Sequence, residues 1–389
     1  MVQIQLIEFY LGPPLVFVGP LPMRILPGNT RILTEDILRQ TLKDLLETSH
    51  KDFYDHVVHD NLYDFEIDWA PSNDNTYFND RIRNCIQDYL DKLQSLESVN
   101  ETELQKNFDE LIDNLLNALD HSTLLKYKNT VGSYDLESKY SPDCTFIFKN
   151  INVTNDYLQD FAVCLGVLKS SNKDITDTRY IGQLLRYLSR LLTEQARKKI
   201  YGFLLNMKYI KFYYVERRPD SIDYNYYQSE TLPIYNSSSE ISSFNNRQKT
   251  TTNEQSKKNF DYCENTWKIF TKFLIMNMEF YQYTTLNIDP YDNELNKYLI
   301  RKRLGYGLSS KVYLIENQEN NTNYIESHVI KISKDDEYSS FYKNELKITE
   351  KLKENDIEKF QLFFQDIMYS SPTGKIFFII FLRFSFSIH

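Results

Sequence analysis

Apolar residues recur every three or four positions through DRIRNCIQDYLDKLQSL and ETELQKNFDELIDNLLNAL, which predicts helices across about residues 79–119. The pattern then shortens. CTFIF (144–148), FAVCLGVLK (161–169), KIYGFLLNM (199–207) and IKFYYVE (210–216) are brief runs rich in β-branched and aromatic residues, and they predict strands. A helix over about Thr178–Arg197 separates the second run from the third. At about 100° per residue, Ile181, Leu184, Leu185, Leu188, Leu191 and Leu192 fall on one side of it. Gln183, Arg186, Tyr187, Arg190 and Glu194 fall on the other.

Upstream, IQLIEFYL and PLVFVG have strand character, and TEDILRQTLKDLLETSH has a helical period with an N-cap signal at Thr34. Residues 217–262 are polar, notably NSSSEISSFNNRQKTTTNEQSKK, and predict a long, largely disordered insertion. An apolar helix resumes over 263–283. Beyond it come two glycine-linked strands, the HVIKI strand, the helical NELKITEKLK, and the strand-like FQLFFQDIMYS and KIFFIIFLRF. The order predicts an α+β chain in five segments: 1–78, 79–216, 217–262, 263–295 and 296–389.

Composition narrows the function classes. The chain has 389 residues, with 45 Lys and Arg against 54 Asp and Glu, a formal charge of −9. Such a chain has no general attraction for nucleic acid or anionic lipid, so that binding would need a local basic surface. One candidate is the outer face of the Thr178–Arg197 helix, where Arg186 and Arg190 are followed by Arg197 and Lys198. The four cysteines form no CxxC pair and read as reduced, buried residues. Glu8 and Pro13–Pro14 interrupt the N-terminal apolar run, unlike a signal peptide, and the run from Ile376 to Leu382 is too short to span a bilayer. These features predict an intracellular protein, cytoplasmic or nuclear, without a membrane segment. His50, His56 and His59 lie near Asp55 and Asp60, but no third ligand has a defined position, and they read as solvated helix residues.

The richest chemistry lies in LGYGLSSKVYLIENQENNTNYIESHVIK. Gly305 and Gly307 let a strand–turn–strand backbone approach phosphates, and Val312 follows on the next strand. Lys331 sits in an apolar strand, and Glu345 in the helix after it could hold the lysine. In order and spacing, residues 297–384 resemble the small lobe of a protein kinase, an antiparallel sheet with one helix. The resemblance implies ATP, with Mg²⁺ where the metal ligands exist. Leu304, Gly305 and Gly307 would cover the phosphates, with Ser310 at the family's third glycine position. Val312 and Val329 would line the adenine pocket, Lys331 would contact the α- and β-phosphates, and Glu345 would orient Lys331. No HRD-like catalytic loop or DFG-like metal ligand follows Glu345. The expectation is therefore an ATP-binding lobe, C-terminally truncated and inactive as a fragment.

A second set lies upstream. Pro142–Asp143 precedes a strand, GVLK (166–169) ends the next, and Gln183 and Tyr187 share a helix. In order these resemble the PD-(D/E)XK nucleases, in particular the RecB-like branch with a QxxxY helix, and imply a restriction-endonuclease-like α/β domain. In that family the Asp and an acid two positions before the Lys hold a divalent metal, the Lys stabilises the attacked phosphate, and Gln and Tyr approach DNA. Here Val167 occupies the acid position, leaving Asp143 with Glu110 on the preceding helix as the candidate metal pair, and Lys169 as the candidate cation. The expectation is a degraded nuclease. Together the two resemblances suggest a crinkler-type fusion of a nuclease-like head with a kinase. The principal reading is an ATP-binding, kinase-like protein, and the alternative is a nucleic-acid-binding pseudonuclease with a vestigial kinase lobe.

Overall fold

Ser49 begins the first described helix by accepting the Asp52 N–H with its side chain, and α1 spans His50–Phe53. The computed structural model describes residues 49–69, 77–94, 100–132, 141–170, 172–219, 223–236, 261–317, 327–355, 357–358, 366–370 and 376–380. The strands expected in IQLIEFYL and PLVFVG and the helix expected from Thr34 fall outside these residues, apart from the last two residues of the helical pattern, Ser49 and His50. After α1 the chain makes a π-helical turn, Tyr54–Val58, and a 3-10 turn, His59–Asn61, before strand β1, Leu62–Asp64. His56 and His59 are exposed there.

Helix α2 spans Asp80–Gln94 and α3 spans Glu101–Ala118. α3 starts with a reciprocal capping box, in which Asn100 accepts the Glu103 N–H and Glu103 accepts the Asn100 N–H. Then come β2 (Leu125–Asn129), β3 (Cys144–Phe148), β4 (Asn152–Val153), a 3-10 turn (Asn155–Asp160) and β5 (Ala162–Leu168). Helix α4, Thr178–Gln195, starts at an Asp177 cap and ends at Ala196 in the left-handed region, φ 54°. Strands β6 (Lys199–Leu205), β7 (Tyr209–Arg217), β8 (Tyr224–Gln228) and β9 (Leu232–Pro233) follow. Two helices, α5 (Glu264–Leu274) and α6 (Met278–Tyr281), replace the single helix expected over 263–283.

These strands build one sheet in the order β1-β8-β7-β6-β5-β3-β2, with β9 paired to β7. β5 and β6 run parallel, so α4 is the crossover between them. Successive residues of β6 point to opposite faces. Gly202 underlies Leu184 and Leu188 of α4, while Phe203 packs on Phe108 of α3 and Phe270 of α5. The result is a three-layer helix–sheet–helix arrangement.

One sequence expectation is corrected here. Residues 224–228 are not part of a disordered insertion: β8 pairs along its length with β7 and runs parallel to β1. Its YNYYQ composition looks polar, but Tyr226 is buried and Tyr227 stacks on Tyr214 at 4.2 Å between ring centroids. Aromatic cross-strand pairing supplies what aliphatic alternation would elsewhere.

The second sheet contains β10 (Tyr298–Tyr306), β11 (Ser310–Asn317) and β12 (Ser327–Ser333). Helix α7, Ser339–Asn355, precedes β13 (Asp366–Ser370) and β14 (Ile376–Ile380). The order is β13-β14-β12-β11-β10-β4. All its pairs are antiparallel except β10 with β4, where Leu299 and Ile300 run parallel to Asn152 and Val153. A short strand from between β3 and β5 of the first sheet thus extends the second. The described residues form one compact unit. The architecture is mixed α+β, and among the described residues no helix is long and apolar enough to cross a membrane.

Candidate functional site

The β10–β11–β12 register collects the glycine-loop residues onto one face. Gly305 pairs with Val312, and Val312 pairs with Lys331. Directly opposed residues of an antiparallel pair share a face, so these three form a row across the sheet. One step along, Leu314 pairs with Val329 on the same face, while Leu304 occupies the bulge between Arg303 and Gly305. Lys331 reaches α7, where its Nζ lies 2.8 and 3.1 Å from the two Glu345 carboxylate oxygens. The Lys331 amine also lies 5.0 Å from the Tyr342 ring centroid. Its side chain remains 21% exposed, so the charge borders solvent.

The turn between β10 and β11 is held by hydrogen bonds to its own backbone. Gly307 N–H donates to Ser310 O at 2.9 Å, and Lys334 N–H donates to Ser309 O at 2.9 Å. The Lys334 amine donates to Gly307 O at 2.6 Å, and the Tyr342 hydroxyl donates to Ser309 O at 2.9 Å. A Cβ added at Gly305 or Gly307 would meet nothing within 4 Å. Packing does not demand glycine at either position. What glycine provides is backbone that a ligand can approach closely. The sequence reading missed Lys334 and Tyr342, although both lie within twelve residues of Lys331.

The upstream candidates converge only in part. Asp143 stands at the start of β3 and Lys169 just after β5, on adjacent antiparallel strands. Asp143 Oδ2 accepts the Leu168 N–H at 2.6 Å. Burial raises the Asp143 carboxyl to about 6, opposed by Lys169 and the Leu168 N–H and reinforced by Glu101. The Lys169 amine, nearly buried, lies 3.8 Å from Glu101 and 5.2 Å from the Tyr180 ring centroid. The Gln183 amide donates to the Tyr187 hydroxyl at 3.1 Å, and the His50 ring meets Tyr187 edge-on. Burial, then Arg186 and Lys169, lower His50 to about 4.

Glu110 is not Asp143's acidic companion. It pairs with Lys92 of α2 on the exposed side of α3. Nine residues separate it from Glu101, about half a turn at 100° per residue, so α3 turns Glu101 toward Lys169 and Glu110 away. Val167 is fully buried. Among the described residues no group of three or more His, Cys, Asp or Glu could hold a metal ion.

The expected basic surface on α4 is also not formed. Arg186, Arg190 and Arg197 are at most 6% exposed, and of that set only Lys198 is exposed. α4 is covered on a second side by the segment that starts at α1. The Arg186 guanidinium lies 6.0 Å from the Phe53 ring centroid. Gly182 admits this segment, since a Cβ there would stand 2.1 Å from the His50 carbonyl oxygen. Arg197 is structural: it donates to the carbonyls of Ala162, Val163, Tyr281 and Gln282 and to the Gln195 side chain. Burial lowers its pKa to about 10, so it stays charged at neutral pH.

No protein-family model and no curated protein matches this chain. What can be said of function rests on the geometry just described.

Proposed function

We propose that the second sheet and α7 form a nucleotide-binding lobe of the protein-kinase type, which binds the phosphates of ATP between the Gly305–Gly307 loop and Lys331. The observation that carries this reading is the two-oxygen pairing of Lys331 with Glu345. In a kinase-type lobe that carboxylate fixes the lysine amine under the α- and β-phosphates. Three further features support it. The strand order β10-β11-β12-β14-β13, with α7 between β12 and β13, is compatible with such a lobe. Val312 and Val329 share the Lys331 face, where an adenine ring would lie. A Cβ at Gly305 or Gly307 would meet open space, so no side chain crowds the turn.

The donor set suits a polyphosphate: one ammonium on a fixed stem beside a turn whose two glycines carry no side chain. It does not by itself suit Mg²⁺, because the described residues provide no cluster of acidic ligands. No step is assigned to a metal, and the proposal concerns binding rather than phosphoryl transfer. In the complex, Lys331 would neutralise phosphate charge, Glu345 would keep Lys331 extended, and Val312 would exclude water from the base.

The test is thermal unfolding with millimolar ATP. Binding raises the Tm of the unaltered protein, and Lys331→Ala removes the rise. An unchanged Tm with ATP present would refute the proposal.

A second reading has one specific observation in its favour. Asp143 and Lys169 meet at the ends of adjacent strands, next to a crossover helix carrying Gln183 and Tyr187. The β2-β3-β5-β6 order with parallel β5 and β6 is compatible with a PD-(D/E)XK-like core. In this reading the domain is a degraded nuclease: its acid position is a buried valine, and three of its four candidate DNA-facing cations lie inside the protein.

A further inference from the structure

Asp160 ends the 3-10 turn that leads from β4 into β5, and its carboxylate is 1% exposed. Three groups of the glycine hairpin converge on it. Arg303 Nη1 lies 3.1 and 3.2 Å from its two oxygens, Lys311 Nζ lies 2.6 Å away, and the Tyr313 hydroxyl donates at 3.0 Å. Arg303 directly precedes Leu304 and Lys311 directly follows Ser310. One carboxylate from the first sheet's connections therefore holds both stems of the loop that carries Gly305 and Gly307.

The two faces of the second sheet divide the work. Arg303 pairs with Tyr313 and Tyr306 with Lys311, which places Arg303, Lys311 and Tyr313 on the face opposite Val312 and Lys331. That face lies against the α/β layers, where Phe161 packs on Tyr313 with centroids 5.3 Å apart. Asp160 is itself anchored. Its carbonyl accepts the Tyr283 hydroxyl at 2.7 Å, and the Gln195 amide donates to the carbonyls of Gln159 and Ala162. Arg197 donates to Ala162 and Val163 just beyond. Backbone pairing runs alongside, with Thr154 N–H donating to Ile300 O at 3.0 Å. Lys334, the lysine that grips Gly307, borders the same charges: burial and then Lys311 lower its pKa, and Asp160 opposes them.

We propose that Asp160 is a positioning residue for the nucleotide loop, so that phosphate affinity on the Lys331 face is set by a carboxylate on the α/β side that touches no ligand. This rests on the nucleotide reading above. The physical reason is the cost of unmatched buried charge. Without the carboxylate, Arg303 and Lys311 repel each other in a poorly solvated site, and the hairpin relieves this by opening its stems. Opening moves Gly305–Gly307 away from Lys331.

The experiment uses the full chain carrying Asp160→Asn, with Leu188→Ala as a core variant on the far side of the first sheet. Hydrogen exchange without nucleotide is read over residues 298–313 and over α2, and ATP affinity is read by calorimetry. Asp160→Asn is expected to speed exchange in the hairpin about tenfold, leave α2 unchanged and weaken ATP about tenfold. Leu188→Ala is expected to lower Tm and leave ATP affinity unchanged. Hairpin exchange that stays the same in Asp160→Asn, or an ATP affinity that falls no more than in Leu188→Ala, would overturn the proposal. Should Asp160→Asn not fold, Lys311→Met alone releases one stem from the carboxylate and is read the same way. Failure of the nucleotide reading is separately visible: ATP binding would then be absent in the unaltered protein or indifferent to Lys331→Ala, while hairpin exchange would still report the clamp.

Discussion

Lys331 and Glu345 meet through both carboxylate oxygens, at 2.8 and 3.1 Å, from a strand and the helix that follows it. The pair is half-exposed on the glutamate side, so it adds little to stability. Glu345→Gln is therefore expected to change thermal stability by no more than about 1 kcal/mol while weakening ATP by about tenfold. Unfolding curves and nucleotide titrations on the same samples check both halves.

His50 and Asp143 should oppose each other in the pH dependence of stability. His50 is lowered from 6.5 to about 4, so its contribution is present above its unfolded value and is lost as pH falls through about 4. Asp143 is raised from 3.8 to about 6, so its contribution is present at low pH and is lost as pH rises through about 6. In the unaltered protein the two slopes partly cancel between pH 4 and 6. His50→Asn should expose a fall in stability across that window, and Asp143→Asn a rise. Denaturant midpoints measured at half-unit pH steps give the sign directly.

Gly182 is where α1 touches α4. Adding one methyl group there brings Cβ to 2.1 Å from a backbone carbonyl, which cannot rotate away. Gly182→Ala should cost about 1 to 3 kcal/mol despite the usual gain in helix propensity. Exchange over residues 50–58 should rise more than exchange in β6.

Arg197 holds four backbone carbonyls from two segments, 162–163 and 281–282, with no solvent exposure. Arg197→Met should destabilise by about 3 to 5 kcal/mol, because several carbonyls lose their donor together. A surface role in nucleic-acid binding would instead leave the melting temperature unchanged and reduce the salt dependence of binding.

How much of this was legible in the sequence depended on distance along the chain. The helices at Asp80–Gln94, Glu101–Ala118 and Thr178–Gln195 were read from local apolar period, and α3 also has a local cap. Lys331 and Glu345 are fourteen residues apart, and it was the resemblance to a kinase small lobe that suggested their meeting. β2 and β8 were missed because LKYKN buries only Leu125 and YNYYQ only Tyr226, so neither shows an apolar alternation. The arginines of α4 were read as an outer face because the segment that covers them lies more than a hundred residues earlier. Asp160 carried no signal, since its partners Arg303 and Lys311 come 143 and 151 residues later.

Isothermal titration of ATP into the unaltered protein and into Lys331→Ala decides whether Lys331 and the Gly305–Gly307 loop bind ATP. Saturable, one-to-one binding to the unaltered protein is expected, falling at least about tenfold in Lys331→Ala with the fold retained. Equal affinities in the two proteins, or no heat of binding in either, would contradict it.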